Sequence, residues 1–416
     1  MSIKRIDKET FRRACRAAAD DMEKYGKSNR EIAENNLIKV LDCFRRERIG
    51  IQHFGAGSGY GYNDEGRDRL ESLYASVFAA EAALVRQQII SGTHAIALAF
   101  FGNLLPGDEL LSLGMPYDTL LKVIGKDDPP NPGSLRELGV KWRVVEFDFS
   151  DPDPKLVAAA IGPQTKMLAI QRSRGYSLRP ALSVKQIGEI CQAVKDKHPQ
   201  VIIFVDNCYG EFVEEKEPSQ CGADLLAGSL IKNPGAGLAP GGGYLAGKAD
   251  LVERAAYRLT VPGVGREMGA SLISNRLYYQ ALFLAPSIVA EAVQGVIFAA
   301  SLFERLGFEV SPLAKEQRSD IVQAVRLGSP EDLLGFCQGI QRYSPVDSFA
   351  APEAWPMPGY SDEIIMAAGC FIQGSSIELS ADGPLRPPYT VFLQGGLSRY
   401  HTKYAVSRAI FELFCA

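Results

Sequence analysis

The sequence predicts an α/β protein built on a mostly parallel sheet with helices on both faces, plus a smaller α+β C-terminal domain. Short, almost wholly apolar runs alternate with helical patterns between residues 83 and 231. Apolar strands of this kind are typical of a sheet that is covered on both faces, and strand–helix alternation favours parallel strands. After about residue 265, strands follow one another and a last helix closes the chain, which indicates the second, smaller domain.

The elements of the first two parts are expected in the following order. Residues 1–50 form a helical arm, because residues 7 to 48 carry apolar positions at helical spacing among many charges. The large domain, 51–265, begins with a loop rich in glycine and tyrosine and a helix from about Leu70 to Ala83. Its further elements are strands at 83–90, 108–113, 141–147, 165–171, 201–206 and 223–231, with helices after SGTHAI and at 183–197.

The remaining part, 266–416, is expected to hold connecting helices and the small α+β domain. Helical patterns run to about Leu306, and strands are expected in IVQAVRL, EIIMAAGCFI, SSIELSA and YTVFLQG. A helix from Tyr400 to Phe414 ends the chain, and the Pro-rich stretch 343–362 is expected to be a surface loop.

Composition favours a soluble protein that acts on a small molecule. The 416 residues are 46% hydrophobic and 23% charged with a formal net charge of −4, so no electrostatic feature favours nucleic acid or an anionic membrane. Segment 281–300 is long enough to span a membrane, but Pro286, Glu291 and Gln294 interrupt it, which favours a buried helix. Eight cysteines without a C-x-x-C pair and an N-terminal stretch without an apolar signal segment predict a cytoplasmic protein with free thiols.

The stretch 91-SGTHAIALAF-100 follows an apolar run and opens a helix with small residues. Free backbone N–H groups at a helix N-terminus, with the hydroxyls of Ser91 and Thr93 beside them, suit a phosphate group. The alternative is that Ser91 or Thr93 only caps the helix. Taken alone, the stretch is compatible with both.

Two strand ends carry a carboxylate and an amine. Asp206 ends the run VIIFVD, and Lys232 follows ADLLAGSLI at the start of a glycine-rich stretch. Ligands of open α/β sheets bind beyond the strand ends, where Asp206 can meet a cationic ligand atom; the alternative is that it caps the next turn. A desolvated lysine amine is a nucleophile for carbonyl groups. The phosphate site, the acid and the lysine together indicate a pyridoxal-phosphate (PLP) site.

These motifs resemble those of a known family. The order SGTHAI, PYDTL, VDNCYGEF and SLIKNPGAGLAPGGGYLAG is similar to fold-type I PLP enzymes, specifically the methionine γ-lyase-like family, also described as cystathionine β-lyase-related or aluminium-resistance proteins. The resemblance extends from about residue 60 to about residue 397. It implies a PLP-dependent carbon–sulfur lyase that acts by β- or γ-elimination on a small sulfur-containing amino acid.

The resemblance also implies roles for the motif residues. Lys232 would form a Schiff base with PLP, and Asp206 would bond the protonated pyridine nitrogen. The phosphate would be held by Ser91, Gly92 and Thr93.

Three further positions bear on the cofactor. Ser229 matches another phosphate-binding serine of the wider group, whereas Ile231 stands where that group has threonine. Tyr117 occupies the place of the aromatic residue that stacks on the cofactor ring and relays protons. The alternative for Tyr117 is an ordinary place in a strand-to-helix turn.

The glycine-rich loop before the first predicted strand resembles a segment that reaches the neighbouring subunit's phosphate. This implies that Tyr60, Tyr62 and Arg67 complete a shared site, so that the protein is a dimer and plausibly a tetramer. The alternative is that Arg67 pairs locally with Asp64 or Glu71. The segment GAGSGYG is no dinucleotide fingerprint, because no apolar strand leads into it.

The residue that binds the substrate carboxylate is less plain in the sequence. Arginine suits the task because its two parallel N–H groups match a carboxylate. The wider group has this arginine in a strand before a glycine–leucine pair, but the stretch 391-VFLQGGL-397 lacks one. Arg386 is the first substitute, followed by Arg172 and Arg174, for which surface salt bridges are the alternative.

Alternative functions remain open from the sequence alone. The same site would support an aldolase, an aminotransferase or a racemase acting on amino acids. A PLP-binding regulatory or stress protein without turnover is the alternative from another class. The four histidines and the dispersed acids show no ligand spacing, so no metal site is predicted.

Overall fold

The computed structural model describes residues 5–415 of the chain. Its helices are α1 (Lys8–Tyr25), α2 (Lys27–Arg46), α3 (Glu65–Val77), α4 (Gly92–Asn103), α5 (Asp118–Ile124), α6 (Pro154–Ala160), α7 (Val184–Lys197), α8 (Ala249–Leu259), α9 (Arg276–Arg305), α10 (Pro330–Arg342) and α11 (Arg399–Phe414). Its strands are β1 (Ala82–Arg86), β2 (Glu109–Leu113), β3 (Lys141–Val145), β4 (Thr165–Gln171), β5 (Ile202–Asp206), β6 (Leu225–Ser229), β7 (Gly243–Gly247), β8 (Glu309–Ser311), β9 (Val322–Arg326), β10 (Trp355–Pro356), β11 (Glu363–Ala367), β12 (Ser380–Pro384) and β13 (Thr390–Gln394).

The first sheet has seven strands in the order β1-β7-β6-β5-β4-β2-β3. Five of them, from β6 to β3, run parallel to one another. One face packs on α4 and α8, where the rings of Phe100 and Phe204 meet edge to face at 5.1 Å. The other face packs on α3, α7 and α9. The predicted fold class, a mostly parallel sheet with helices on both faces, is confirmed.

Strand β7 was not predicted, because its sequence GYLAG reads as part of a glycine-rich loop. It lies between β1 and β6, antiparallel to both, and all of its residues are buried. The glycine at each end allows close packing: a Cβ on Gly247 would lie 2.2 Å from the carbonyl oxygen of Asp224, and one on Gly243 2.6 Å from Ile89. These glycines therefore serve sheet packing and not a loop.

The second sheet has six antiparallel strands in the order β10-β11-β12-β13-β9-β8. The smaller C-terminal α+β unit is thus present, with α10 and α11 packed on its core. The strand expected in SSIELSA begins later, at Ser380. Upstream of it the Glu378 carboxylate accepts hydrogen bonds from the N–H groups of Phe371 and Ile372, at 2.9 and 3.0 Å, which holds this stretch as a loop.

Two further predictions concern helices. The arm is helical as expected: α1, capped by the Asp7 carboxylate, packs on α9 and contributes to the same core as the second sheet. Within residues 5–415, α9 is the one helix long and apolar enough to cross a membrane, and 72% of its most apolar stretch is buried inside the protein. The boundaries of the three predicted parts remain a prediction.

Candidate active site

A cavity of about 440 Å³ lies between the carboxyl ends of the parallel strands and the second sheet. Its volume is in the range of small-molecule sites. The first sheet contributes Gln171 of β4, Asp206 of β5 and Ser229 of β6, while Asp382 of β12 and Gln394 of β13 come from the second. Both halves of the chain therefore build one site.

The N-terminus of α4 opens on this cavity. The hydroxyl of Ser91 accepts a hydrogen bond from the His94 N–H at 3.0 Å, so Ser91 does cap the helix, as the alternative reading held. Ser91, Gly92 and Thr93 also line the cavity. A Cβ on Gly92 would lie 3.2 Å from the Cys208 sulfur, so this position keeps the backbone close to its neighbours. The structure places a helix N-terminus with two hydroxyls where an anion can be held.

Asp206 ends β5 and is 6% exposed. Its Oδ1 accepts a hydrogen bond from the Cys208 N–H at 3.2 Å. Burial raises the pKa of Asp206, while the positive charge of Lys232 and the Cys208 hydrogen bonds lower it. A buried carboxylate of this kind is stabilised by a cationic partner in the cavity.

Lys232 follows β6 and caps the one-turn helix Asn233–Gly235. Its Nζ lies 3.9 Å from the centre of the Tyr209 ring. Burial acts to lower the pKa of Lys232, but nearby Cys208, Tyr209 and Asp206 raise it well above its ordinary value. The amine and the Asp206 carboxylate thus share one electrostatic environment at the ends of adjacent strands.

Tyr117 and Ser229 complete this end of the cavity. The Tyr117 hydroxyl lies 2.9 Å from the Thr93 hydroxyl, and burial with the nearby Asp206 charge raises the pKa of the phenol well above its ordinary value. Ser229 is 2% exposed, and its hydroxyl accepts a hydrogen bond from the Ile231 N–H at 3.3 Å. Of the residues that the resemblance assigned to the cofactor, one chain thus brings together Ser91, Gly92, Thr93, Tyr117, Asp206, Ser229 and Lys232.

The three arginines considered for a substrate carboxylate lie elsewhere. Arg172 is fully buried, pairs with Glu214 at 2.9 Å and does not line the cavity. Arg174 donates to the carbonyl of Ser311 at 2.9 Å, and Arg386 forms a partly exposed ion pair at 2.7 Å. Among residues 5–415, no arginine lines the cavity. The structure therefore corrects this prediction, because each guanidinium already forms a hydrogen bond or an ion pair with another group.

The glycine-rich loop does not reach the cavity of its own chain. Tyr60 and Tyr62 are 70% and 56% exposed, with ring centres 5.8 Å apart. Arg67 is buried, donates to the Gly61 carbonyl at 2.7 Å and pairs with Asp68 at 2.8 Å. Its guanidinium stabilises the loop, which is a local role as the alternative expected, although with Asp68 in place of the two acids considered.

Sequence reasoning missed the residues that form the other end of the cavity. They are Tyr176, Tyr360, Asp382 and Gln394. They come from loops and from antiparallel strands of the second sheet, where no phosphate motif or strand-end rule applies. The stretch 343–362, expected as a surface loop, supplies Tyr360 to the cavity wall. An available signal was Asp382, the one charged residue of the run SADGP, which lies close in sequence to the strand YTVFLQG.

Comparison with known proteins places the chain in a family. The sequence matches the Methionine gamma-lyase family over residues 11–414. It is 49% identical over 407 residues to the uncharacterized protein YnbB of Bacillus subtilis, covering 97% of each chain. These matches span both sheets and every residue of the cavity.

Solved structures agree with this match. The fold is similar to that of a carbon-sulfur lyase involved in aluminum resistance from Clostridium novyi, with a TM-score of 0.93 and 46% identity over 98% of this chain and 96% of that one. A pyridoxal-5'-phosphate dependent protein, YhfS of Escherichia coli, shares the fold at a TM-score of 0.61 and 17% identity, covering 91% of this chain and 96% of that one. The chain therefore belongs to the methionine gamma-lyase family, a family of PLP-dependent carbon–sulfur lyases with the fold-type I architecture that the motifs predicted.

Proposed function

We propose that this cavity binds PLP and that the protein cleaves a carbon–sulfur bond of a small amino acid there. The observation that carries the proposal is the convergence of Lys232, Asp206 and the N-terminus of α4 on one cavity of about 440 Å³. An amine for an aldehyde, a carboxylate for a pyridinium and backbone donors for a phosphate are the three groups that PLP requires. No other described cavity of the chain combines them.

The residues at this end of the cavity fit the cofactor chemically. The phosphate would be held at the N-terminus of α4 by Ser91, Gly92 and Thr93, with Ser229 nearby. Asp206 would keep the pyridine nitrogen protonated, since its buried carboxylate is stabilised by a positive charge in the cavity. When bound, PLP supplies an electron-poor ring that takes up the electron pair left at Cα.

Proton transfer falls to two side chains of this chain. Lys232 would move the proton at the substrate Cα and, for γ-elimination, also at Cβ. Its Nζ is held over the Tyr209 ring, so it has a defined position between the two sheets. Tyr117, which is hydrogen-bonded to Thr93, would lie against the cofactor ring and can pass a proton to the leaving sulfur.

The substrate carboxylate would be bound without an arginine of this chain. The cavity presents the hydroxyls of Ser375 and Ser376 on the loop before β12. Ser375 Oγ is buried and has no hydrogen-bond partner within residues 5–415. A carboxylate that accepts from these hydroxyls would satisfy them.

The oligomer proposed is a dimer with shared sites, with a tetramer as a further possibility. The exposed Tyr60 and Tyr62 support it, because two aromatic rings in solvent are typical of an interface. Backbone hydrogen bonds hold their loop against segment 269–271. The side chain of Gln87, four residues before Ser91 in sequence, donates a hydrogen bond to the same segment. Ile90, close in sequence to Ser91, is also exposed. We further propose a cytoplasmic location, which the free cysteines support.

The experiment is a panel of sulfur amino acids incubated with the purified holoprotein, with thiol, keto acid and ammonia measured together. Equal amounts of all three products are expected from at least one compound. Lys232→Ala should abolish them, while Lys248→Ala, which removes a surface lysine outside the cavity, should not. Keto acid without thiol, racemised substrate, or no turnover of any compound at full PLP occupancy would contradict the proposal. These outcomes would favour a transaminase, a racemase or a regulatory protein.

A further inference from the structure

The far end of the cavity contains a buried acid that the proposed chemistry leaves unused. Asp382 lies in the middle of β12, opposite Phe392 of β13, and is 4% exposed. Its Oδ2 accepts a hydrogen bond from the Gln394 amide at 2.7 Å. Its Oδ1 has no hydrogen-bond partner among residues 5–415. A buried carboxylate with one free oxygen is costly unless a donor completes it.

Apolar and aromatic side chains surround this acid. The Tyr176 ring lies 5.3 Å from that of Phe392 and 5.8 Å from that of Tyr360. Met357 and Met366 also line the cavity. Such walls suit an alkyl or thioether chain, and aromatic faces also attract a cation.

The charged residues that line the cavity also favour a cationic ligand group. Within the described part of the chain, its charged lining residues are Lys232, Asp206 and Asp382. The first two belong to the cofactor end. The one basic side chain of the lining that acts on Asp382 is therefore Lys232. Once the cofactor engages Lys232, the acid favours a cationic ligand group and repels a second carboxylate.

We propose that Asp382 is a specificity-determining residue that binds an ammonium group at the far end of the substrate. The preferred substrates are then amino acids with a second amino group on an alkyl or thioether chain. The ammonium group would donate to the free Oδ1, and the chain would lie along Tyr176, Tyr360 and Phe392. This inference rests on the proposed function for the cofactor at Lys232, but not on the bond that is cleaved.

Binding of sulfur-free ligands tests it independently of carbon–sulfur cleavage. The dissociation constants of L-lysine, L-norleucine and L-2-aminoadipate are measured from the absorbance change of the holoprotein. These compounds differ chiefly in a terminal amine, methyl or carboxylate. The wild-type protein should bind lysine about tenfold or more tightly than norleucine, because a charge-assisted hydrogen bond is added, and aminoadipate most weakly.

Two variants localise the preference. Asp382→Asn should reduce the lysine-to-norleucine ratio to within about twofold. Asp362→Asn, which neutralises an acid of the same domain outside the cavity, should retain the wild-type ratio. Equal affinities in the wild-type protein would overturn the inference, and this comparison needs no variant to fold. An undiminished preference in Asp382→Asn would also overturn it.

Failure of the inference and failure of the proposed function look different. A preference for lysine in a protein that releases no thiol would refute carbon–sulfur cleavage and support Asp382. Thiol release without any preference for a terminal amine would support carbon–sulfur cleavage and refute the role of Asp382. S-(2-aminoethyl)-L-cysteine and S-propyl-L-cysteine extend the comparison to cleavable compounds, and the first should show the larger kcat/KM in the wild-type protein only.

Discussion

The two ends of the cavity are built in different ways. At the first-sheet end, Asp206 and Lys232 lie where adjacent parallel strands end, and Ser91 lies where a helix begins. At the second-sheet end, Asp382 and Phe392 face the cavity from the middle of antiparallel strands. The first end is positioned by strand termini and a helix dipole, which suit a phosphate and a charged ring. The second is positioned by cross-strand pairing.

Substitution at the cofactor end, the end formed by the first sheet, is expected to change turnover most. Asp206→Ala should leave PLP bound through its phosphate but lower kcat by about 10²–10³-fold, because a preorganised charge next to the reacting group is lost. Holoprotein content from the cofactor absorbance and turnover per cofactor are measured together.

Asp224→Ala serves as the control for the loss of a buried acid. Asp224 lies at the opposite edge of the same sheet and pairs with Lys195 and Lys248 at 2.6 and 2.7 Å. This variant should unfold more easily but keep its turnover per bound cofactor. Near-normal turnover of Asp206→Ala at full occupancy would mean that the cofactor end is assigned wrongly.

A smaller effect is expected from pH on ligand preference at the far end of the cavity, where Asp382 lies. Burial raises the pKa of Asp382 to about 7, although the nearby Tyr176 hydroxyl, the hydrogen bond from Gln394 and the charge of Lys232 lower it. The carboxyl is therefore neutral below that pH and charged above it. The preference for lysine over norleucine should increase by about tenfold between pH 6 and pH 8 and should be lost in acid.

The ratio of the two dissociation constants cancels the effect of any group whose titration changes the binding of both ligands equally. Tyr209, Tyr360 and Cys337 also interact with Asp382, but burial raises the pKa of each, so all three stay neutral in this range. Lys232 and the cofactor act on both ligands alike. A ratio that is flat from pH 6 to pH 8, or one that falls as pH rises, would contradict the role of Asp382.

The smallest expected effect is a partial recovery of activity in hybrid oligomers, which tests whether a partner subunit completes the cofactor end. A Tyr60→Ala, Tyr62→Ala double variant and Lys232→Ala should each be inactive. Hybrids of the two should recover part of the activity, because one of their two sites would have both the tyrosines and the lysine. Arg67 is left intact, since it holds the loop through Gly61 and Asp68. Hybrids that form without recovering activity would show that the loop serves only assembly.

The difference between the two ends also explains what the sequence could predict. Asp206 and Lys232 were predicted because each follows a short apolar run, and parallel strands end at one edge. Asp382 was not, because its position depends on pairing between β12 and β13, and a shift of one residue turns a side chain to the other face. The arginines were misplaced for a related reason: the partly buried acid Glu214, 42 residues away in sequence, engages Arg172.

The central claim is that Lys232 holds PLP in this cavity, and borohydride reduction of the purified holoprotein tests it most directly. Reduction fixes PLP to the amine that carries it, and peptide mapping by mass spectrometry then identifies the lysine. The account predicts one labelled peptide, containing Lys232, and no label in Lys232→Ala. A label on another lysine of the wild-type protein, or bound PLP that reduction fixes to none, would contradict it.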